Sequence, residues 1–478
     1  MSDKKSFYIT TTLPYVNAEP HIGFAMELIH ADVIARAKKL QGYEVFLNTG
    51  TDEHGAKIYD KAKESGKDPQ DYVDEYALKF RDLIDLLGID KESVHFIRTT
   101  DVHHRKAAQE IWKLCEKAGD VYKKNYIIKY CVGCELEKTD SELVNGRCPI
   151  HPNKDLEVRD EENYFFRFSN YQEPLLALYK KHPDFVIPDF RFNEIIRFVE
   201  RGLEDFSISR LKSKMPWGVA VPSDEEHVMY VWFDALTSYI STIGWPEDLT
   251  TFEKYWPVLQ FAGKDQIRQQ AAMWQAMLLS AGLTPSKQIV IHGFLNLEGQ
   301  KMSKSLGNFL TPQEVIEKFG LDALRYFAVR EFNQFEDTEV SWEKLLEDYN
   351  GNLANGLGNL VSRIMTLAEA HLTLPVTIAE RENMSEYFAI LDKFEINKTA
   401  NYVWGKIADL DKEIQTTKPW ESKDQKVIGN LVIKLYSIAR MLNPFMSETS
   451  AKIKALIKAN KKPEAPLFLR KDSSTGSL

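Results

Sequence analysis

Apolar residues fall along the chain in short β-prone runs and in helically spaced faces, and the first fifty residues show both. Phe7 to Thr11 is a short β-prone run, ended by Pro14 and the loop Tyr15-Val16-Asn17-Ala18-Glu19-Pro20. A helix is predicted from about Pro20-His21. Ile22, Met26, Ile29 and Val33 fall on one face at spacings of four, three and four, and Gly42 is placed to end it. Glu44 to Asn48 reads as a second strand, so the opening is a βαβ pattern that predicts a parallel sheet. From about residue 118 the texture changes to dense charge and aromatic alternation, which predicts an insertion. Strand-like runs return at Val228–Trp232, Val258–Phe261 and Gln288–Phe294, as the second half of the sheet. Thr311-Pro312-Gln313-Glu314 reads as a capping box that opens a helix. From Asp348 the pattern is helical almost throughout and predicts a helix bundle. The last eight residues, small and polar, are expected to be disordered.

The length of 478 residues predicts about three domains. A net charge of −9 argues against a protein that coats nucleic acid through charge alone, though a local basic groove remains compatible with an RNA enzyme. No run is long and apolar enough to span a bilayer, and Met1 to Tyr15 has no apolar signal core, so a cytoplasmic enzyme is expected. Four cysteines in this length do not make a disulfide scaffold.

Cys131-Val132-Gly133-Cys134 and Cys148-Pro149-Ile150-His151 have the paired spacing of a tetrahedral zinc site. All four positions are filled, so a structural Zn2+ held by Cys131, Cys134, Cys148 and His151 is expected. Cys115, in a predicted helix, reads as a buried thiol. Lys301-Met302-Ser303-Lys304-Ser305 carries two lysines three apart, which suits one polyanion. Pro20-His21-Ile22-Gly23-Phe24 stands at a strand–loop–helix junction, where unpaired N–H groups suit a triphosphate. Each motif alone also fits a solvated loop or a structural helix start.

Taken together, the two motifs resemble the signatures of class I aminoacyl-tRNA synthetases, and the resemblance to the methionine branch runs along nearly the whole chain. It rests also on Thr12–Tyr15, Asn48–Gly55, Met229–Ala235 and Phe261–Asp265. It implies an α/β fold: a Rossmann-like doubly wound parallel sheet split by a zinc-knuckle insertion and followed by an all-α anticodon-binding bundle. The implied division is 1–117 and 228–309 for the two catalytic halves, with 118–227 for the insertion. It continues with 310–350 for a stem-contact region, 351–470 for the bundle and 471–478 for the tail. It implies ATP with Mg2+, L-methionine and tRNA(Met) as partners, and a monomer. His21, Lys301 and Lys304 would stabilise phosphate charge. Gly23, Glu27, Gly263, Asp265 and Ser303 would complete the ATP site. Leu13, Tyr15, Trp232, Ala235, Tyr239 and Gln270 would shape the side-chain site, with Asp52 on the ammonium group. Asn359, Arg363, Pro419 and Trp420 would read the anticodon.

Two departures from the family pattern keep other readings open. Phe24 stands where the signature has its second histidine, which leaves room for an inactive tRNA-binding paralogue. Gln266, Gln269 and Gln270 stand where apolar residues and a histidine are usual, which leaves room for another amino acid. These glutamines are expected to bond one another, or Arg268.

Overall fold

The runs beginning at Phe7 and Glu44 form strands that pair with each other in parallel, Tyr8 opposite Phe46. The computed structural model describes residues 5–134, 136–138, 143–297, 300–301, 310–378 and 384–472. Its main sheet has six strands: β1 (Ser6–Thr10), β2 (Glu44–Thr51), β3 (Val94–Arg98), β4 (Val186–Ile187), β5 (Leu259–Gly263) and β6 (Gln288–His292). They lie in the order β3-β2-β1-β5-β6-β4. The β1–β2, β2–β3, β1–β5 and β4–β6 pairs are all parallel. Every residue of β5 and β6 is buried, which is why both read as apolar runs without alternation. The chain spreads one way from β1 through β2 to β3, and the other way from β5 to β6. That reversal between two central neighbours opens a crevice beyond their carboxyl ends, the usual ligand position in such sheets.

The insertion carries a four-stranded sheet built on Val121–Cys131 antiparallel to Glu157–Phe166, with Leu136–Glu137 and Phe206–Ser207 at its edges. The expected strand at Val228–Trp232 needs correction. The strand is Asp224–Met229. It pairs antiparallel with Ser209–Leu211 and Ala220–Val221 in a separate three-stranded sheet. After Tyr230 the chain turns into the short helix Val231–Ala235. Aromatic and β-branched residues run through both elements, so local pattern does not mark the change. The buried partners of Asp234, described below, favour the helical turn.

The chain divides into two compact units. One comprises Met1–Glu19, Glu44–Leu83 and Glu92–Ile291, and contains all but the last residue of the main sheet. The other comprises Pro20–Tyr43, Ile84–Lys91 and His292–Leu478. The second unit contains α1 (Ile22–Leu40) and the helical C-terminal region. The predicted apolar face of α1 is buried, and so are Glu27, His30 and Asp32. Asp32 meets the buried Arg325 guanidinium at 2.5 Å. Arg325 also donates to the carbonyls of Phe445, Pro444 and Leu87 at 2.7, 3.0 and 3.1 Å. One side chain thus ties α1, residues 84–91 and the C-terminal helices together. The capping box forms as expected: the Glu314 N–H donates to Thr311 Oγ1 at 3.1 Å, and the Thr311 N–H donates to Glu314 Oε2 at 2.8 Å. The bundle holds α2 (Asn359–His371), α3 (Ile396–Thr417), α4 (Gln425–Leu442) and α5 (Ser447–Ala459), with α4 packed on the other three. Asn350 holds the backbone of Lys471 through two hydrogen bonds; residues 473–478 of the expected tail lie outside the described residues. Among the described residues, no helix is long and apolar enough to cross a membrane.

His30 gives this unit a pH dependence. Burial pushes its imidazole down to about 4; the bond to the Ala328 carbonyl opposes the shift and nearby His292 adds to it. An unfolded histidine titrates near ~6.5. Between that value and about 4 the unfolded chain binds a proton that the folded chain does not, so stability rises with pH across this window. The expected contribution to the loss between pH 7 and pH 5 is about 2 kcal/mol. His30→Gln, which keeps a donor for Ala328 but does not titrate, should flatten the pH dependence of the urea midpoint. An unaltered slope would contradict the assignment.

Candidate functional site

The loop after β1 and the end of β2 meet backbone to backbone. Tyr15 and Asp52 form a parallel bridge, with the Asp52 N–H donating to the Pro14 carbonyl at 3.0 Å and the Val16 N–H to the Asp52 carbonyl at 3.3 Å. The Tyr15 ring stands edge-on to Trp232 at 6.1 Å between centroids. The structure therefore brings Tyr15, Asp52 and Trp232 together at the carboxyl ends of the strands, with the Asp52 side chain buried. Leu13 lies half-buried one residue before Pro14. Ala235 is buried on the same short helix as Trp232. Tyr239 is buried one helical turn on, its ring 6.1 Å from Trp274. Gly263 ends β5, and Asp265 is exposed in the tight turn that follows.

Two residues beside Asp52 fix it in place, and the sequence reading assigned neither a role. The fully buried Glu53 carboxylate takes a two-pronged bond from Arg98 (2.7 and 3.0 Å), with Thr51 at 2.7 Å and Thr100 at 2.5 Å. The Glu53 carbonyl accepts from the Trp217 indole at 2.6 Å. His54 Nδ1 reaches Asp234 Oδ2 at 2.6 Å, and His104 Nε2 reaches Asp234 Oδ1 at 2.7 Å. Ser241 Oγ lies 2.9 Å from the other nitrogen of His104. Burial alone would raise the Asp234 carboxyl. The electrostatic pull of His54 and the hydrogen bonds from His104 and His54 outweigh that and hold it down at about 2. Asp234 is thus a buried carboxylate that binds the Asp52 loop to the helix carrying Trp232.

Of the three expected glutamines, Gln270 and Gln266 bond each other, while Gln269 Oε1 is buried without a hydrogen-bond partner among the described residues. Gln270 Nε2 donates to the Tyr239 hydroxyl at 2.7 Å and to Gln266 Oε1 at 3.4 Å, while Gln260 Nε2 donates to Gln270 Oε1 at 2.8 Å. Arg268 is exposed and lies over the Phe198 ring at 4.6 Å. It lines a cleft of about 320 Å³ with Arg197, Arg201 and Ile267, to which none of the expected side-chain-site residues contributes.

In the second unit, His21 caps α1 with its own side chain. The N–H groups of Gly23 and Phe24 donate to His21 Nδ1 at 3.1 and 3.4 Å, so the neutral ring carries its hydrogen on Nε2. A Cβ on Gly23 would sit 2.9 Å from His21 Cε1, so the glycine makes room for the capping ring. Phe24 is buried. The buried Glu27 carboxylate meets His292 Nε2 at 2.7 Å. Lys301 ends a short strand, Gln300–Lys301, paired with Leu295–Leu297. Ser303 and Lys304 lie outside the described residues.

The cysteine and histidine ligand atoms of Cys131, Cys134, Cys148 and His151 all lie within 4.8 Å of one another, and none of the cysteines is in a disulfide. Cys134 Sγ is 3.4 Å from Cys148 Sγ and 3.2 Å from His151 Nδ1. Gly133 has no room for a Cβ, which would lie 2.5 Å from the His151 ring. The donor set and its convergence fit a metal ion. Cys115 is buried, as expected, and burial pushes its thiol up to about 12.

In the bundle, Arg363 and Trp420 line one cleft of about 310 Å³ together with Ser362, Thr366, Leu367 and Ile414. Lys418 and Lys423, both left-handed, bracket the single turn Pro419–Ser422 and hold Trp420 outward, 42% exposed. Arg363 pairs with Asp411 at 2.6 Å, where the exposure of both groups keeps the pair weak. Asn359 is exposed at the start of α2, and Pro419 is buried; neither lines the cleft.

Asp234→Ala would leave two buried imidazoles without their acceptor. Hydrogen bonds to a charged group are worth ~1.5–3 kcal/mol each, so a loss of about 3 kcal/mol or more is expected in urea unfolding. Asp234→Asn, which keeps the shape and one acceptor oxygen, should lose less. An Asp234→Ala protein as stable as the parent would rule out the clamp.

Comparison with known proteins agrees with this geometry. The family model "tRNA synthetases class I (M)" matches residues 7–156 and 133–365. The methionine–tRNA ligase of Thermotoga maritima is 40% identical over 96% of this chain and 76% of its own length. That of Nostoc is 40% identical over 94% of this chain and 89% of its own. The Mycobacterium tuberculosis methionyl-tRNA synthetase solved with methionyl-adenylate superposes with a TM-score of 0.88 at 36% identity, covering 94% of this chain and 93% of that one. The strand order, the pocket loops and this likeness along almost the full length agree: the chain belongs to the class I aminoacyl-tRNA synthetases, in the methionine–tRNA ligase family.

Proposed function

We propose that this chain joins L-methionine to tRNA(Met) in two steps, first making methionyl-adenylate and pyrophosphate from ATP, then moving the methionyl group to tRNA and releasing AMP. The observation that carries this reading is the Tyr15–Asp52 bridge beside Trp232 at the crevice end of β1 and β2. A buried carboxylate on a residue bridged to Tyr15, whose ring meets Trp232, suits an amino acid with a cationic head and an apolar tail. Asp52 binds the ammonium group; Leu13, Tyr15, Trp232, Ala235, Tyr239 and Gln270 enclose the side chain. His21, Gly23, Glu27, Gly263, Asp265, Lys301, Ser303 and Lys304 serve ATP, which enters with Mg2+. Attack of the carboxylate on the α-phosphate demands alignment and charge stabilisation rather than a protein nucleophile. His21, with its hydrogen on Nε2, can donate to a phosphate oxygen.

The 351–470 bundle reads the anticodon. Trp420 stacks on an unpaired base, and Arg363, released from its weak pair with Asp411, contacts RNA alongside Asn359 and Pro419. The Cys131, Cys134, Cys148 and His151 cluster holds one structural Zn2+, since four protein donors leave no position for substrate. A monomer in the cytosol, where thiols stay reduced, suits these parts.

Amino-acid-dependent exchange of pyrophosphate into ATP, run with each of the twenty standard amino acids, is the direct test. Exchange with methionine alone is expected, and exchange with another amino acid or with none would overturn the reading. Lys304→Ala should cut the exchange rate by orders of magnitude with little effect on methionine affinity, because only the phosphate stages lose a contact. Metal analysis of protein purified without added metal should find about one zinc per chain, lost in Cys148→Ser. A stoichiometry near zero would overturn the four-ligand site.

A further inference from the structure

The cleft that Arg268 lines stands apart from the amino-acid site, and its charge differs from that of the chain as a whole. Three guanidinium groups, those of Arg197, Arg201 and Arg268, line about 320 Å³ against a single carboxylate, Glu194. That carboxylate pairs with Arg191 at 2.6 Å, and Arg191 is not part of the lining. The net charge of the chain is −9, so this local excess of cations is no sample of its average surface. Arg197 and Arg201 lie four positions apart, on the helix Asp189–Glu200 and its C-cap, and therefore share a face. A helix end favours basic residues, which accounts for those two alone. It does not account for Arg268, which enters the same cleft from the helical segment after β5 and lies over the Phe198 ring at 4.6 Å. Like charges one turn apart on a helix repel, and a third brought beside them adds to that cost. A bound anion reverses the balance for all three. All three arginines are exposed, so a large partner can reach them.

We propose that this cleft is a phosphate-binding surface for the tRNA backbone, with Arg197, Arg201 and Arg268 as its donors. A guanidinium offers paired N–H groups in one plane, which match two oxygens of a phosphate. The cleft also carries apolar rings, Phe198 and the 47% exposed Phe190. Cations interleaved with rings are the composition of surfaces that hold single-stranded nucleic acid, where the backbone is neutralised while bases lie on apolar faces. The surface shares no residue with the cleft of Arg363 and Trp420, so it is a second RNA contact. Contacts to phosphate position an RNA without reading its sequence. The inference rests on the tRNA-charging reading given above.

The test is equilibrium binding of the full chain to tRNA(Met) and to a non-cognate tRNA over a series of salt concentrations, for the parent and for Arg197→Ala combined with Arg201→Ala. Both positions are exposed and alanine suits a helix, so the variant should fold, which thermal melting checks. It should bind both tRNAs roughly tenfold more weakly, by the same factor, and its slope of log Kd against log salt should be shallower by about 1 to 2. Pyrophosphate exchange, which needs no tRNA, should stay at the parent rate. Arg197→Lys combined with Arg201→Lys, which keeps both charges, should keep most of the slope. Unchanged tRNA affinity and slope in the alanine variant would overturn the proposal. If inorganic phosphate then raised the melting temperature of the parent but not of the variant, at equal ionic strength, the cleft would belong to the free ion. An equal loss of exchange and tRNA binding would mark the arginines as supports of the fold and would overturn it too. Failure of the parent to exchange with methionine while it still binds tRNA through these arginines would instead overturn the reading beneath it.

Discussion

Asp234 is an ionised carboxylate with no exposure to solvent, and the geometry of the amino-acid crevice depends on it. A lone buried carboxylate would be costly enough to neutralise itself by taking up a proton. The opposite happens here because His54 and His104 each approach one of its oxygens, at 2.6 and 2.7 Å. The arrangement joins three parts of the chain that share no local sequence: the loop after β2, the helix holding His104, and the short helix holding Trp232. Glu53, gripped by Arg98, fixes the same loop from its other side. Asp52 therefore sits beside anchored neighbours, and its own backbone ties the loop after β1 to the end of β2.

What the sequence made legible follows from how far apart the interacting groups lie. β1 and β2 are visible as short apolar runs, α1 by the helical spacing of Ile22, Met26, Ile29 and Val33, and the Thr311–Glu314 cap because both its bonds span three residues. The cysteine and histidine cluster is equally plain, since its ligands come as two close pairs. By contrast, His54 and Asp234 are 180 residues apart, and His104 and Asp234 are 130. Nothing near any of the three announces the others, and only the whole fold brings them together. The segment after Met229 departs from the expected strand for a related reason. Its composition suits a strand, while the demand that bends it into a helix comes from two distant imidazoles.

The His-Ile-Gly signature shows how a structural and a functional reading can coincide. His21 spends Nδ1 on two N–H groups of its own helix, and Gly23 is small because that ring lies over it. The capping bonds fix the tautomer, and the tautomer decides that the other nitrogen is a donor. A residue substituted for stability reasons at either position would therefore also alter what the helix start can offer an anion. The buried Phe24 has no part in this cap beyond its backbone N–H, so the cap survives the replacement of the second signature histidine.

The glutamine wall answers a similar question about cost. Polar side chains around an apolar pocket are a liability if any amide is left unpaired, at ~1–3 kcal/mol each. Gln275, Ser286, Gln260, Gln270 and Tyr239 are hydrogen-bonded one to the next, which offsets that cost for each of these groups, whereas the neighbouring Gln269 Oε1 is buried without a hydrogen-bond partner among the described residues and carries it.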